Sequence, residues 1–334
     1  MQLLAIVDSP NHVCCRYRLR AFESTLNQVN HRLEYRAWPE GLFARYRACR
    51  NVTQFDAVIV QRKLLPGWLL RPLRRRAKRL IFDLDDAVFL RDSYSKKGLY
   101  DRRRLRRFIA VTQAADAVIA GNSFLARHVE IHAPQTPTFV IPTCVNPDLY
   151  PQSKHEGRSL TWIGSSSTLQ GLEQIHSILE SVGRSCPDAT LKLICDRSLT
   201  LNHLRVEFSP WSEATEASDL ASADIGISWI PDDDWSRGKC GLKALQYMAA
   251  GLPVVANPVG VHTEMIRHGD NGFLVETPEE WQSAIQCLLR DAELRRRMGS
   301  SGRRLVEATY STSHGASLWC EVLRNPTLSR RKTG

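Results

Sequence analysis

The sequence has no apolar run near the roughly 18–20 residues that a membrane-spanning helix requires. Its opening stretch Met1–Val7 is also too short for the apolar core of a secretory signal. The expected location is therefore the cytoplasm. The nine cysteines form no CxxC pair and no ligand-spaced cluster with histidine, which argues against a zinc ribbon and a disulfide scaffold alike. Most of them read instead as small buried hydrophobes. The sequence also lacks internal repeats, low-complexity tracts, a helix-turn-helix pattern, an aromatic RNA-binding strand and a zinc motif, so nucleic acid is not the expected partner. What it has is 334 residues, 43% of them hydrophobic and 24% charged, enough to bury the cores of two domains.

The net charge of +10 is unevenly placed. Residues 1–150 carry 25 Lys and Arg against 13 Asp and Glu, whereas residues 151–334 carry 20 against 22. All of the positive excess is N-terminal, which marks that half as a face for a polyanion or as a solvated basic surface. The richest stretches are Arg74, Arg75 and Arg76, just after Trp68-Leu69-Leu70, and the run that holds Arg103 and Arg104. Apolar residues beside arginines suit an anionic membrane surface. Arg16 and Arg18 follow the first strand instead, where they would face a cleft and bind a phosphorylated acceptor.

Short β-branched runs recur at Met1–Val7, Asp56–Gln61, Arg79–Leu84, Ala117–Ala120 and Thr138–Ile141, separated by helical or basic segments. Periodicity stops near Asn146–Arg158 and then resumes, with strands expected at Ser159–Ile163, Leu191–Cys195, Asp224–Ile230, Pro253–Asn257 and Gly272–Glu276. A long helical finish follows from Glu279 to Arg324. The pattern predicts two Rossmann-like α/β domains, residues 1–150 and 151–324, facing each other across a cleft, and a disordered polar tail at 325–334. The final helix is expected to pack back on the first domain.

Residues 222–258 carry the most chemistry. A strand leads into an acidic loop, then a glycine-rich turn with Arg237, Lys239 and Lys243 opens a helix that Gly251 ends. Free amides at a helix start, flanked by cations, suit a phosphate; glycines that only make the turn are the alternative. The block Gln246–Ala256 (QYMAAGLPVVA), Asn257–Gly260 with Glu264, the turn Gly269–Val275 and the run Arg295–Arg303 together resemble the retaining glycosyltransferases of family four, formerly group 1.

That resemblance implies a GT-B fold and transfer of a sugar, with retention, from a nucleotide-diphosphate donor to a glycan or lipid-linked acceptor of the cell envelope. It implies no metal and no other cofactor. The donor would bind the second domain and the acceptor the first. The diphosphate would lie between Gly164-Ser165-Ser166 and the turn of Arg237, Lys239, Gly241, Leu242 and Lys243, with the ribose on Gln246. The family's Glu-x7-Glu motif falls on Gly238 and Gln246, and its Gly-Arg on Gly164-Ser165, so charge is missing at three places. A binder of sugar nucleotides or polyanions without turnover is the reading those departures favour. Asp83, Asp85 and Asp86, after the strand Leu80–Phe82, would orient the acceptor or stabilise charge on the sugar, with Lys239 on the leaving group. The stretch Phe82-Asp83-Leu84-Asp85-Asp86 also resembles the nucleophile motif of haloacid dehalogenase-like phosphatases, in which Asp83 would attack phosphorus.

Overall fold

The computed structural model describes residues 1–325; the remainder of the expected tail lies outside the described residues. The chain forms two compact units. The first takes Met1–Cys144, Asp233–Cys240 and the C-terminal segment from Thr312; the second takes Val145–Asp232 and Gly241–Ser311.

In the first unit, β1 (Gln2–Val7), β2 (Arg32–Ala37), β3 (Ala57–Gln61), β4 (Leu80–Leu84), β5 (Ala117–Ala120) and β6 (Thr138–Val140) form one parallel sheet in the order β2-β1-β3-β4-β5-β6. Period-2 alternation sends Leu4, Ile6, Phe82 and Leu84 to one face and Leu3, Ala5, Val7 and Ile81 to the other. The first face is covered by the helices Leu42–Arg50, Gly67–Arg76 and Arg102–Ala114, which contribute Cys49, Leu70, Leu73 and Phe108. The second face is covered by Phe22 and by Trp319 and Leu323 of the helix Thr312–Arg324.

In the second unit, β7 (Ser159–Ile163), β8 (Thr190–Cys195), β9 (Arg205–Pro210), β10 (Ile225–Ser228), β11 (Val254–Ala256) and β12 (Gly272–Leu274) build a parallel sheet in the order β12-β11-β10-β7-β8-β9. Its largest cluster packs Trp162, Leu191 and Ile225 against Leu179 and Trp281. On the opposite face the helix Leu242–Ala249 presses its Tyr247 ring onto Gly226, where a Cβ would lie 2.4 Å from the ring. The Tyr247 hydroxyl accepts from the Ile163 amide at 3.1 Å and donates to the Ile227 carbonyl at 3.2 Å. This seating fixes where the start of that helix stands relative to β7.

The strands β2 and β9 were not expected. Both are edge strands with polar sequences, RLEYRA and RVEFSP, and neither buries a full face, so no apolar run marks them. The long helical finish is three helices, Pro278–Arg290, Ala292–Thr309 and Thr312–Arg324. Asp291 ends the first and caps the second, accepting from the Leu294 amide at 2.8 Å.

Candidate functional site

Each unit collects candidate residues at the carboxyl ends of its parallel strands, where this kind of sheet offers backbone groups and loops to a ligand.

In the first unit the chain leaves β4 through Asp83, Leu84, Asp85 and Asp86. Asp83 is fully buried, and so is Arg18, whose Nη2 stands 2.6 Å from Asp83 Oδ1. Arg18 Nη1 donates to the Ile141 carbonyl, and Gln61 Nε2 donates to Asp83 at 3.4 Å. Arg18 therefore ties the Val13–Arg18 helix to β4 and to the residue that follows β6. This corrects two expectations: Arg18 has no surface to offer an acceptor, and Asp83 is neither a cleft carboxylate nor a phosphatase nucleophile.

Asp85 and Asp86 are different. Both are slightly exposed, and Arg62 lies between them, with Nη1 3.3 Å from Asp85 Oδ1 and Nη2 3.1 Å from Asp86 Oδ2. Burial pushes the Asp85 carboxyl up, but the Arg62 guanidinium, backed by Arg18, holds it below the usual carboxylate range. For Asp86 burial prevails over Lys239 and Arg62, and its carboxyl sits above that range. The two neighbours are thus pushed apart, as in pairs that divide acid and base roles. Lys239 joins them because Asp233–Cys240 packs on this unit. Asn122 Nδ2 donates to the Lys239 carbonyl at 3.0 Å, Cys240 Sγ to the Asp85 carbonyl at 3.2 Å, and Ser93 Oγ to Asp233 at 3.1 Å. The Lys239 ammonium lies 5.1 Å over the Trp235 ring. At Gly238 a Cβ would stand 2.7 Å from Ala87 Cβ and 2.9 Å from its amide nitrogen, so a glutamate cannot occupy this place.

In the second unit Gly241 opens the helix Leu242–Ala249 from the left-handed region, with φ +66°. Lys243, in its first turn, reaches the turn after β7. Its Nζ is 3.5 Å from Thr168 Oγ1 and 5.0 Å over the Trp162 ring. At Gly164 a Cβ would come 2.4 Å from that ring. The structure thus brings Lys243 and the Gly164–Thr168 turn together. Ser165 is exposed and caps the helix Ser166–Gln174, its amide donating to Thr168 Oγ1 at 3.2 Å. Ser166 is committed elsewhere, because both its amide and its hydroxyl donate to the Asp196 carboxylate. Gln246 is buried, its Nε2 3.3 Å from the Tyr150 hydroxyl. The residues Arg237, Lys239, Gly241, Leu242 and Lys243, expected as one turn, divide between the units at Cys240/Gly241.

His262 was missed in the sequence. It is buried beside Lys243, its Nε2 3.2 Å from Ser228 Oγ and its Nδ1 3.0 Å from the Asn257 carbonyl. A histidine two residues after Gly260 gives no motif by itself. Asn257 brackets Ile230, accepting from its amide at 3.1 Å and donating to its carbonyl at 2.6 Å.

The expected surface arginines also separate. Arg74 pairs with the buried Asp116 at 2.7 Å and so serves the fold, while Arg104 is exposed but ties one nitrogen to the Leu90 carbonyl at 3.0 Å. Arg16 is half-buried over the Tyr17 ring; Arg75, Arg76 and Arg103 are exposed. Of the apolar trio ahead of them only Trp68 is exposed, since Leu69 and Leu70 belong to the core. Leu42 and Phe43, 67% and 80% exposed, were not expected there.

Residues 158–291 match the family model described as glycosyl transferases group 1. The chain is 36% identical over 177 residues to a D-inositol 3-phosphate glycosyltransferase of Jonesia denitrificans, covering 48% of this chain and 42% of that protein. It is 36% identical over 91 residues to the N-acetyl-alpha-D-glucosaminyl L-malate synthase of Bacillus anthracis, 25% of this chain and 24% of that one. The matched stretch is thus less than half the length of either relative. Sucrose-phosphate synthase from Thermosynechococcus elongatus is similar in structure, with a TM-score of 0.77 at 16% identity over 97% of this chain and 98% of that chain. Anabaena HepE in complex with UDP follows at 0.67 and 18%, over 97% and 99%. The fold is α/β of the GT-B class, with two Rossmann-like units. The family match and the curated relatives support a glycosyltransferase.

Proposed function

We propose that this protein transfers a sugar from a nucleotide-diphosphate donor to a glycan or lipid-linked acceptor, with retention and without a metal ion. The observation that carries the reading is the meeting of Lys243, Trp162 and Thr168 inside the segment that matches the family. A cation held against an aromatic face beside a helix start is suited to a diphosphate, whose charge grows as it leaves. A sugar-nucleotide donor is also supported by HepE, a structural neighbour solved with UDP-glucose. In this reading the diphosphate lies on Lys243, Leu242, Gly241 and the Gly164-Ser165 turn, and the ribose reaches Gln246. The first unit presents the acceptor to Asp85, Asp86 and Lys239.

The acceptor side also supports a membrane-proximal substrate. Leu42 and Phe43 open the helix after β2, and Trp68 opens the helix after β3, so all three stand toward the carboxyl edge of the sheet, the edge that carries Asp85 and Asp86. Arg103, in the first turn of the helix after β4, stands toward that same edge, whereas Arg75 and Arg76 end the helix that Trp68 opens; exposed apolar and basic residues on one unit suit peripheral docking on an anionic bilayer.

A panel of sugar nucleotides tests the reading, with product and anomeric configuration followed by NMR. With the donor that turns over, Lys243→Ala should raise the donor KM and Lys239→Ala should lower turnover, each by about tenfold or more. Unchanged kinetics in both variants would remove the assignment. Thermal stabilisation by a donor without any product would favour the binding protein that lacks turnover.

A further inference from the structure

Arg62 does not resemble any residue of the motifs above, yet it occupies the centre of the first unit's carboxyl edge. It follows β3 directly, and its backbone is left-handed, with φ +58°, a conformation that residues with a Cβ rarely adopt. The strained backbone is held by the Arg62 amide, which donates to the Asp83 carbonyl at 2.8 Å. From there the guanidinium reaches Asp85 at 3.3 Å and Asp86 at 3.1 Å through separate nitrogens, and Nη1 also donates to Cys14 Sγ. One fork therefore spans two carboxylates that lie on consecutive residues and would otherwise repel each other. Asp86 Oδ1 is buried without a hydrogen-bond partner, and the buried Asp85 Oδ1 meets Arg62 Nη1 at 3.3 Å as an ion pair without a hydrogen bond. A fold that needed only stability would have satisfied these oxygens or made them apolar.

We infer that Arg62 is a positioning residue for sugar transfer, its fork fixing Asp85 and Asp86 as an oriented pair beside Lys239. The inference rests on the reading that this pair meets the reacting sugar and acceptor. Arg62 does not itself touch substrate. It sets the direction of the two carboxylates and keeps Asp85 ionised, while Asp86 answers chiefly to burial and Lys239. The other charged and titratable groups around the fork are Arg18 and Asp83 beneath it, Cys14 on the Val13–Arg18 helix, and Cys240 behind Asp85.

The test compares wild type with Arg62→Met and Arg62→Lys, measuring kcat, donor KM and the pH dependence of kcat/KM over about pH 5 to 9. Arg62→Met should lower kcat by about tenfold or more with donor KM within about twofold, and should move the acid limb to higher pH as Asp85 loses its counter-charge. Arg62→Lys keeps the charge but not the fork, so it should restore the acid limb and only part of the rate. If Arg62→Met does not fold, the acid limb of Arg62→Lys is compared with that of Asp85→Asn, and a wild-type rate in Arg62→Lys overturns the inference. It is also overturned if Arg62→Met keeps the wild-type kcat and acid limb while Asp86→Asn loses activity. Full activity in both Asp85→Asn and Asp86→Asn would instead show that the pair is not at the reacting groups, and the underlying reading falls with the inference.

Discussion

At the scale of single residues, His262 ties the candidate donor site to pH. Burial above all, aided by the Lys243 ammonium and opposed by the bond to the Asn257 carbonyl, lowers its imidazole from the usual 6.5 to about 4. The native state therefore keeps His262 neutral at pH values where the unfolded chain takes up a proton. Stability is complete above about pH 6.5 and falls as the pH drops toward 4, by roughly 3 kcal/mol from this group alone. Urea denaturation at pH 7.5 and 4.5 should show His262→Gln losing less stability on acidification than wild type; equal losses would refute this account. None of this was legible in the sequence, because a buried histidine is defined by what surrounds it. Gly238 was legible as a departure from a family pattern, but its reason, contact with Ala87, lies about 150 positions away in the chain. Asp85, Asp86 and Lys243 were legible because they stand next to strand ends and a glycine turn. Arg62 was not, since a single arginine after an apolar strand carries no signature.

At the scale of elements, apolar strands announced themselves and edge strands did not, for the reason that β2 and β9 have little apolar surface to bury. Helices were legible as periodic stretches, while their breaks depended on caps. The helix Thr312–Arg324 shows how far an element can act from its place in the sequence. Its Trp319 is 1% exposed in the cluster with Phe22, Leu3 and Ile59, and Gly315 admits the Phe22 ring so closely that a Cβ would come within 2.5 Å of it. Trp319→Ala should cost about 3–5 kcal/mol, the range for removing a large buried aromatic. The loss should appear as a lower urea midpoint, and a change below about 1 kcal/mol would mean that this helix contributes little to the first unit.

For the molecule as a whole, the positive excess of residues 1–150 is the property most easily measured. Flotation with vesicles should show binding to anionic and not to zwitterionic lipid, and loss of binding between low and high salt. Replacing Leu42, Phe43 and Trp68 by Ser should weaken the binding by about tenfold or more, since each apolar side chain loses burial in the interface. Binding indifferent to both lipid charge and salt would leave the basic half a solvated face. The division of the chain has a consequence for inheritance. Because Asp233–Cys240 and the segment from Thr312 belong with the N-terminal unit, the chain passes between units four times. A chimaera spliced once at Cys144/Val145 would therefore bring a foreign Lys239 to the native Asp86 and a foreign Trp319 to the native Phe22. Whole-unit exchange between relatives requires four joints, so recombination would favour drift within one chain over the shuffling of halves.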